Sequence, residues 1–173
     1  MHEDWKALIA KVAQCKQIIN ENDTLGAFPW HLPRVAASDP AIARVESLIG
    51  APLPSDYRNF LSVADGWQGF CVSTDLFGTA DYLSGRVLKI MKRPDVEEYV
   101  LKTGLSCKRM LPIGASDVDI DVFLIVLDAS DKRSGEVIWL AGLEIDRYPD
   151  FRTFFGAMVS YNERLAKQLA NQN

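Results

Sequence analysis

The sequence predicts an α+β fold: one domain with a mixed or antiparallel sheet flanked by N-terminal and C-terminal helices. Three observations carry this. Apolar residues recur at helical spacing near both ends of the chain, three β-branched or aliphatic runs sit together in its second half, and helices and strands come in blocks instead of alternating one for one. The length of 173 residues suits a single domain, 1–173, and a chain of this size buries enough surface to need neither disulfide nor metal.

The first helix spans roughly Asp4 to Ile19, because Trp5, Leu8, Ile9, Val12, Cys15 and Ile19 fall on one face. A loop follows from Asn20 to Pro33, broken by Asn, Gly and Pro, with Phe28 and Trp30 expected to pack beneath it. Ser38-Asp39-Pro40 starts the next helix: Asp39 is expected to accept from an orphan N–H, and Pro40 has no N–H to lose. That helix runs through Ile42, Val45, Leu48 and Ile49 and stops at Gly50. Pro52-Leu53-Pro54 then forbids helix until Ser55, after which Tyr57, Phe60, Leu61 and Ala64 share a face as far as Asp65-Gly66.

Trp67 to Val72 reads as a strand, and Ser73 to Leu105 is poorly patterned. Within it Arg86 to Met91 fits strand or helix, and Pro94 to Leu101 a short helix opened by proline. Met110–Ile113, Val122–Leu127 and Val137–Leu140 are the surest strands, separated by Gly114 and by the turn-forming stretch from Asp128 to Gly135. The last helix starts at Asp150, which can cap it, and carries Phe151, Phe154, Phe155, Met158, Leu165 and Leu169.

Composition limits the function. Nineteen Lys and Arg against 23 Asp and Glu give a net charge of −4, which offers a phosphate backbone no overall attraction, so nucleic acid is not an expected partner. No stretch is apolar enough to cross a bilayer, and no membrane partner is expected. Cys15, Cys71 and Cys107 are odd in number and far apart, the pattern of a reducing compartment; with an acidic Met1-His2-Glu3-Asp4 start, a cytoplasmic location is the expectation.

Groups suited to catalysis are scarce. His2 lies in the terminus and His31 in a proline-rich loop, where a structural or solvated role is expected, and no nucleophile-elbow, P-loop, dinucleotide or zincin motif occurs. No cofactor is expected. Charge is uneven: Met110 to Asp131 holds five aspartates and no cation, whereas Arg86 to Arg109 sums to +4.

Asp117-Val-Asp-Ile-Asp-Val122 alternates, so an extended chain would put Asp117, Asp119 and Asp121 on one face. With Asp128 they occupy positions one, three, five and twelve of an EF-hand loop, but Val122 replaces the turn glycine and the twelfth ligand is not Glu, so no metal site is expected. A solvated strand face and a docking surface for a basic partner stay open. Trp5 and Trp139 read as core. Trp67, between Asp65-Gly66 and Gln68-Gly69, reads as core or as an exposed anchor. The candidate partner-binding residues are therefore Asp117, Asp119, Asp121 and Trp67.

Gly50, Leu53-Pro54, Tyr57, Phe60-Leu61 and Gly66, followed in order by Leu111-Pro112-Ile-Gly114, the strand ending Leu127-Asp128, Gly135-Glu-Val-Ile-Trp139 and a helix with Phe151 and Phe154-Phe155, resemble the SUKH superfamily of cell-wall-assembly-regulator-like proteins. The resemblance covers about residues 38–160, and residues 1–37 form an N-terminal extension. It implies a non-catalytic α+β domain used in bacteria chiefly as an immunity protein that neutralises a cognate toxin; fungal relatives act as regulators or scaffolds of cell-wall synthesis. A metal-assisted enzyme using Asp117, Asp119 and Asp121 is the rival reading. The matched residues transfer fold better than function.

Overall fold

A computed structural model describes residues 4–28, 30–104, 109–127 and 133–172. Among these residues six strands form one sheet in chain order, every neighbouring pair antiparallel. They are β1 (Trp67–Cys71), β2 (Thr74–Leu76), β3 (Met110–Ser116), β4 (Asp121–Val126), β5 (Val137–Ala141) and β6 (Leu143–Tyr148). The helices are α1 (Trp5–Asn22), α2 (Asp39–Ile49), α3 (Ser55–Leu61), α4 (Thr79–Leu83), α5 (Arg86–Met91), α6 (Pro94–Thr103) and α7 (Phe151–Ala170). The fold is α+β, as the blockwise patterning predicts.

Two helices, α1 and α7, run side by side in the same direction, Trp5 meeting Phe151 and Phe155 near their starts and Ile19 meeting Ala166 near their ends, and they cover the sheet through an aromatic cluster. Trp5 meets Phe155 at 5.4 Å and Phe151 at 5.7 Å between ring centroids, and Phe60 of α3 lies 5.5 Å from both phenylalanines. Phe154 reaches the sheet at Phe123, 4.8 Å away, and Phe155 reaches Phe70 at 5.0 Å. Residues 1–37 therefore supply part of the same core, through Trp5, Leu8 and Val12. Every residue of β3 is buried, as is β4 beyond Asp121. Neighbouring residues of a strand face opposite ways, so both sheet faces are covered there, which accounts for runs without polar alternation.

Several glycines are placed by close approach. A Cβ on Gly66 (φ +84°) would stand 2.5 Å from the Gly78 nitrogen, and one on Gly114 would stand 2.5 Å from the Asp75 carbonyl oxygen. Gly114 also sits at a bulge in the β3–β4 ladder.

The structure departs from expectation at particular points. Ser38, not Asp39, caps α2, its hydroxyl accepting from the Ala41 N–H at 3.4 Å with Asp39 inside the helix. Helix α3 ends at Leu61, and Ala64 forms a bridge with Val35. Phe28 packs against the Cys15, Ile19 and Ala166 cluster, but Trp30 is exposed, because its loop passes over the surface. The ambiguous Arg86–Met91 is a helix. Strand β2 and helix α4 occupy the region without clear pattern, and β6 adds an edge strand with only Tyr148 buried.

Candidate functional site

The acidic segment does not form one strand face. Residues 117–120 are a bend joining β3 to β4, so the three carboxylates diverge. Ser116 causes this: its hydroxyl accepts from the N–H groups of Val118 (3.2 Å) and Asp119 (3.0 Å), turning the chain before Asp121 rejoins the ladder.

Each aspartate has its own partner. Asp117 accepts from the Arg86 guanidinium at 2.8 Å. Asp119 accepts from the N–H of Ile120 at 2.7 Å. Asp121 accepts from the indole N–H of half-buried Trp139 at 2.6 Å across the β4–β5 pair. Asp128 lies outside the described residues, so the EF-hand spacing is not represented in full. Among the described residues no group of three or more His, Cys, Asp or Glu side chains converges as a metal site would require.

Arg86 is the centre of this region. Its guanidinium bridges Asp75 at 2.9 Å, Asp81 at 3.2 Å and Asp117 at 2.8 Å, and it lies over the Phe77 ring at 4.7 Å. Those carboxylates hold the guanidinium charged, its pKa above the ordinary value despite the opposing effect of burial. Asp81 also accepts from Arg34 at 2.7 Å and from the Gly78 N–H at 2.9 Å. The basic and acidic runs of the sequence therefore close on each other. A second tie has the same sense: Arg93 donates to the Ile120 carbonyl at 2.7 Å while bound to Asp95.

Trp67 is fully buried, and its indole N–H donates to the His31 carbonyl at 2.7 Å, so it anchors the N-terminal loop and is no exposed contact. That corrects the anchor reading: β1 lies inside the covered part of the sheet. Of the motif residues, Tyr57, Phe60 and Leu61 are wholly buried, and Leu53 nearly so. The Tyr57 hydroxyl donates to the Phe77 carbonyl at 2.8 Å and meets the Tyr82 hydroxyl at 2.7 Å, and Tyr82 reaches the Pro112 carbonyl at 3.1 Å. Burial pushes both phenols above their ordinary value. Burial likewise raises Cys71 to about 12, leaving an unreactive thiol.

The expected residues omit the aliphatic side chains beside them. Val118 is 86% exposed and Ile120 52%, in the β3–β4 turn. Leu143 is 75% exposed and Ile145 53%, on β6. The Asp121–Ala141 pairing brings the two turns together, and the Ile120 Cδ1 lies 3.5 Å from where Gly142 would carry a Cβ. Asp119, also exposed, lies between Val118 and Ile120 in the turn. The alternation of the segment contains Val118 and Ile120 as plainly as the aspartates, but a strand reading turns them inward.

A family model, SMI1 / KNR4 family (SUKH-1), matches residues 36–157. The chain belongs to this family. The match begins just before α2, takes in the whole sheet and ends inside α7, leaving α1 outside. No curated protein matches the chain. No helix among the described residues is long and apolar enough to cross a membrane.

Proposed function

We propose that this SUKH-1 protein is a non-catalytic immunity protein, neutralising a cognate bacterial toxin by binding it through the sheet end formed by Val118, Asp119, Ile120, Leu143 and Ile145. The observation that carries the reading is that four exposed aliphatic residues lie in or next to two turns that meet at the Asp121–Ala141 pair, with the exposed Asp119 between Val118 and Ile120 in the chain. Scattered apolar residues are ordinary on a surface, whereas a contiguous group with a polar rim marks an interaction site. Among the described residues Asp119 bonds only a local backbone N–H, and it remains exposed, so it can meet a cation of the partner. Asp117 and Asp121 are held by Arg86 and Trp139, and their part is to fix the turn.

The reading is tested with any toxin domain found encoded beside this gene, by co-expression and by association kinetics at several salt concentrations. Protection of the host and a one-to-one complex are expected. Leu143→Asp should speed dissociation, and Asp119→Asn should slow association by several-fold and flatten its salt dependence. Substrate turnover by the purified chain, or absence of a complex, overturns it.

A further inference from the structure

A second surface of opposite character lies away from that sheet end. A cavity of about 590 Å³ opens between the end of α2, α5 and the start of β3, lined by Ile49, Val87, Met91, Met110, Leu111 and Pro112. Tyr82 contributes to its wall, but the hydroxyl is committed to Tyr57 and Pro112. Among the described residues no carboxylate lines it. The volume falls within the range of ligand-sized pockets, and the lining is almost wholly apolar.

The apolar surface does not stop at the cavity mouth. Leu48 of α2 is 61% exposed and Leu88 of α5 is 66% exposed on its two lips, and Leu83 continues the ridge beside Leu48 at 47%. A small molecule seated in the cavity would leave these three leucines in water. A helix lying along the mouth would cover them and insert one or two side chains between them, as in other helix-in-groove complexes.

Charge selects among such helices. Arg44 precedes Leu48 by four residues within α2, on the same side of that helix, and Lys92, the C-cap residue of α5, follows Leu88 by four, so each cation stands about one turn from a lip leucine. Among the described residues neither Arg44 nor Lys92 has an ion-pair or hydrogen-bond partner, in contrast to Arg34, Arg58, Arg86, Arg93 and Arg147, all of which are bound to carboxylates.

We infer that this groove docks an acidic amphipathic helix of a partner protein, its leucine-type anchors entering between Leu48 and Leu88 and its carboxylates meeting Arg44 and Lys92. The inference is independent of the sheet-end reading, and either can fail alone.

The test is selection from a random 16-residue peptide display library on the intact protein, with Leu88→Asp as the counter-target. Groove-dependent peptides should be net acidic with apolar residues four apart. The best of them, made synthetically, should shift the Met91 and Met110 methyl resonances, bind Leu88→Asp at least about tenfold more weakly, and lose several-fold with Lys92→Glu. Both positions are exposed, and unchanged thermal unfolding of the variants shows that the fold is intact. No peptide discriminating wild type from Leu88→Asp overturns the inference, as do selected peptides that are basic or neutral. Decanoate occupying the groove where every peptide fails to bind overturns it in favour of a small apolar ligand.

Discussion

Removing one buried hydroxyl gives the sharpest test of how the SUKH motif holds this fold. Tyr57 is fully buried, its hydroxyl 2.8 Å from the Phe77 carbonyl and 2.7 Å from the Tyr82 hydroxyl. Phenylalanine at position 57 keeps the ring contacts, including that with Phe151 at 4.9 Å, so only the hydroxyl is lost. The Phe77 carbonyl then lacks its donor in a dry site, a penalty of about 1–3 kcal/mol. Taking about 2 kcal/mol, the unfolding midpoint should fall by roughly 4–8 °C for a chain of this length. Tyr82→Phe leaves the Tyr57–Phe77 bond in place and gives up the longer 3.1 Å bond to Pro112, so about 1 kcal/mol is expected. The two hydroxyls share one contact, which each single variant removes and the double variant removes once. The double variant should therefore cost about 1 kcal/mol less than the sum. Urea unfolding of the four proteins measures the cycle. Additive costs, or a Tyr57→Phe penalty below about 0.5 kcal/mol, would refute the account of the hydroxyl pair as a coupled buried unit.

Other perturbations separate close packing from free space and charge from burial. Gly114→Ala places a Cβ against the Asp75 carbonyl at 2.5 Å and the Phe123 ring at 2.8 Å, and should cost at least about 3 kcal/mol or abolish folding. At Gly156 inside α7 a Cβ meets nothing within 4 Å, so Gly156→Ala should stabilise by about 0.5–1 kcal/mol in the same unfolding assay. Lys16 on α1 is only 2% exposed and burial lowers its pKa, so Lys16→Met should raise stability by on the order of 1 kcal/mol, measured by urea midpoint. The Arg93 guanidinium holds Asp95 below its ordinary 3.8, and Arg147 holds Glu144 below its ordinary 4.5. Groups lowered in the folded state bind fewer protons there, so their contribution is full above those ordinary values and is lost as pH falls through the folded ones. Stability should decline on acidification from about pH 5 downward, and less steeply in Arg93→Gln and Arg147→Gln; equal slopes would remove those pairs as a cause.

Helix legibility followed from periodicity where one face meets the core. Trp5 to Ile19 and Phe151 to Leu169 announce themselves in the sequence because α1 and α7 each bury one stripe against the other and the sheet. The strands β3, β4 and β5 are legible as unbroken apolar runs for the complementary reason, burial on both sides. Strand β6 escaped because an edge strand with five exposed residues has no core face to write into its pattern. Helix α4 and strand β2 are too short for any period to show, and their positions depend on Asp65 accepting from the Thr79 N–H and hydroxyl at 2.6 and 2.7 Å.

The candidate surface divides the same way. Clustering of acids between 110 and 131 and of bases between 86 and 109 is a property of the amino-acid order alone, as are the family motif and the apolar face its aromatics form. Which charges remain available to a partner was settled only by folding, because Arg86 comes within reach of Asp75, Asp81 and Asp117 when α5 packs beside the sheet. Contacts between residues 31 positions apart leave no trace in local spacing: periodicity records which way a side chain faces, whereas the partner it meets there is set by how distant elements dock.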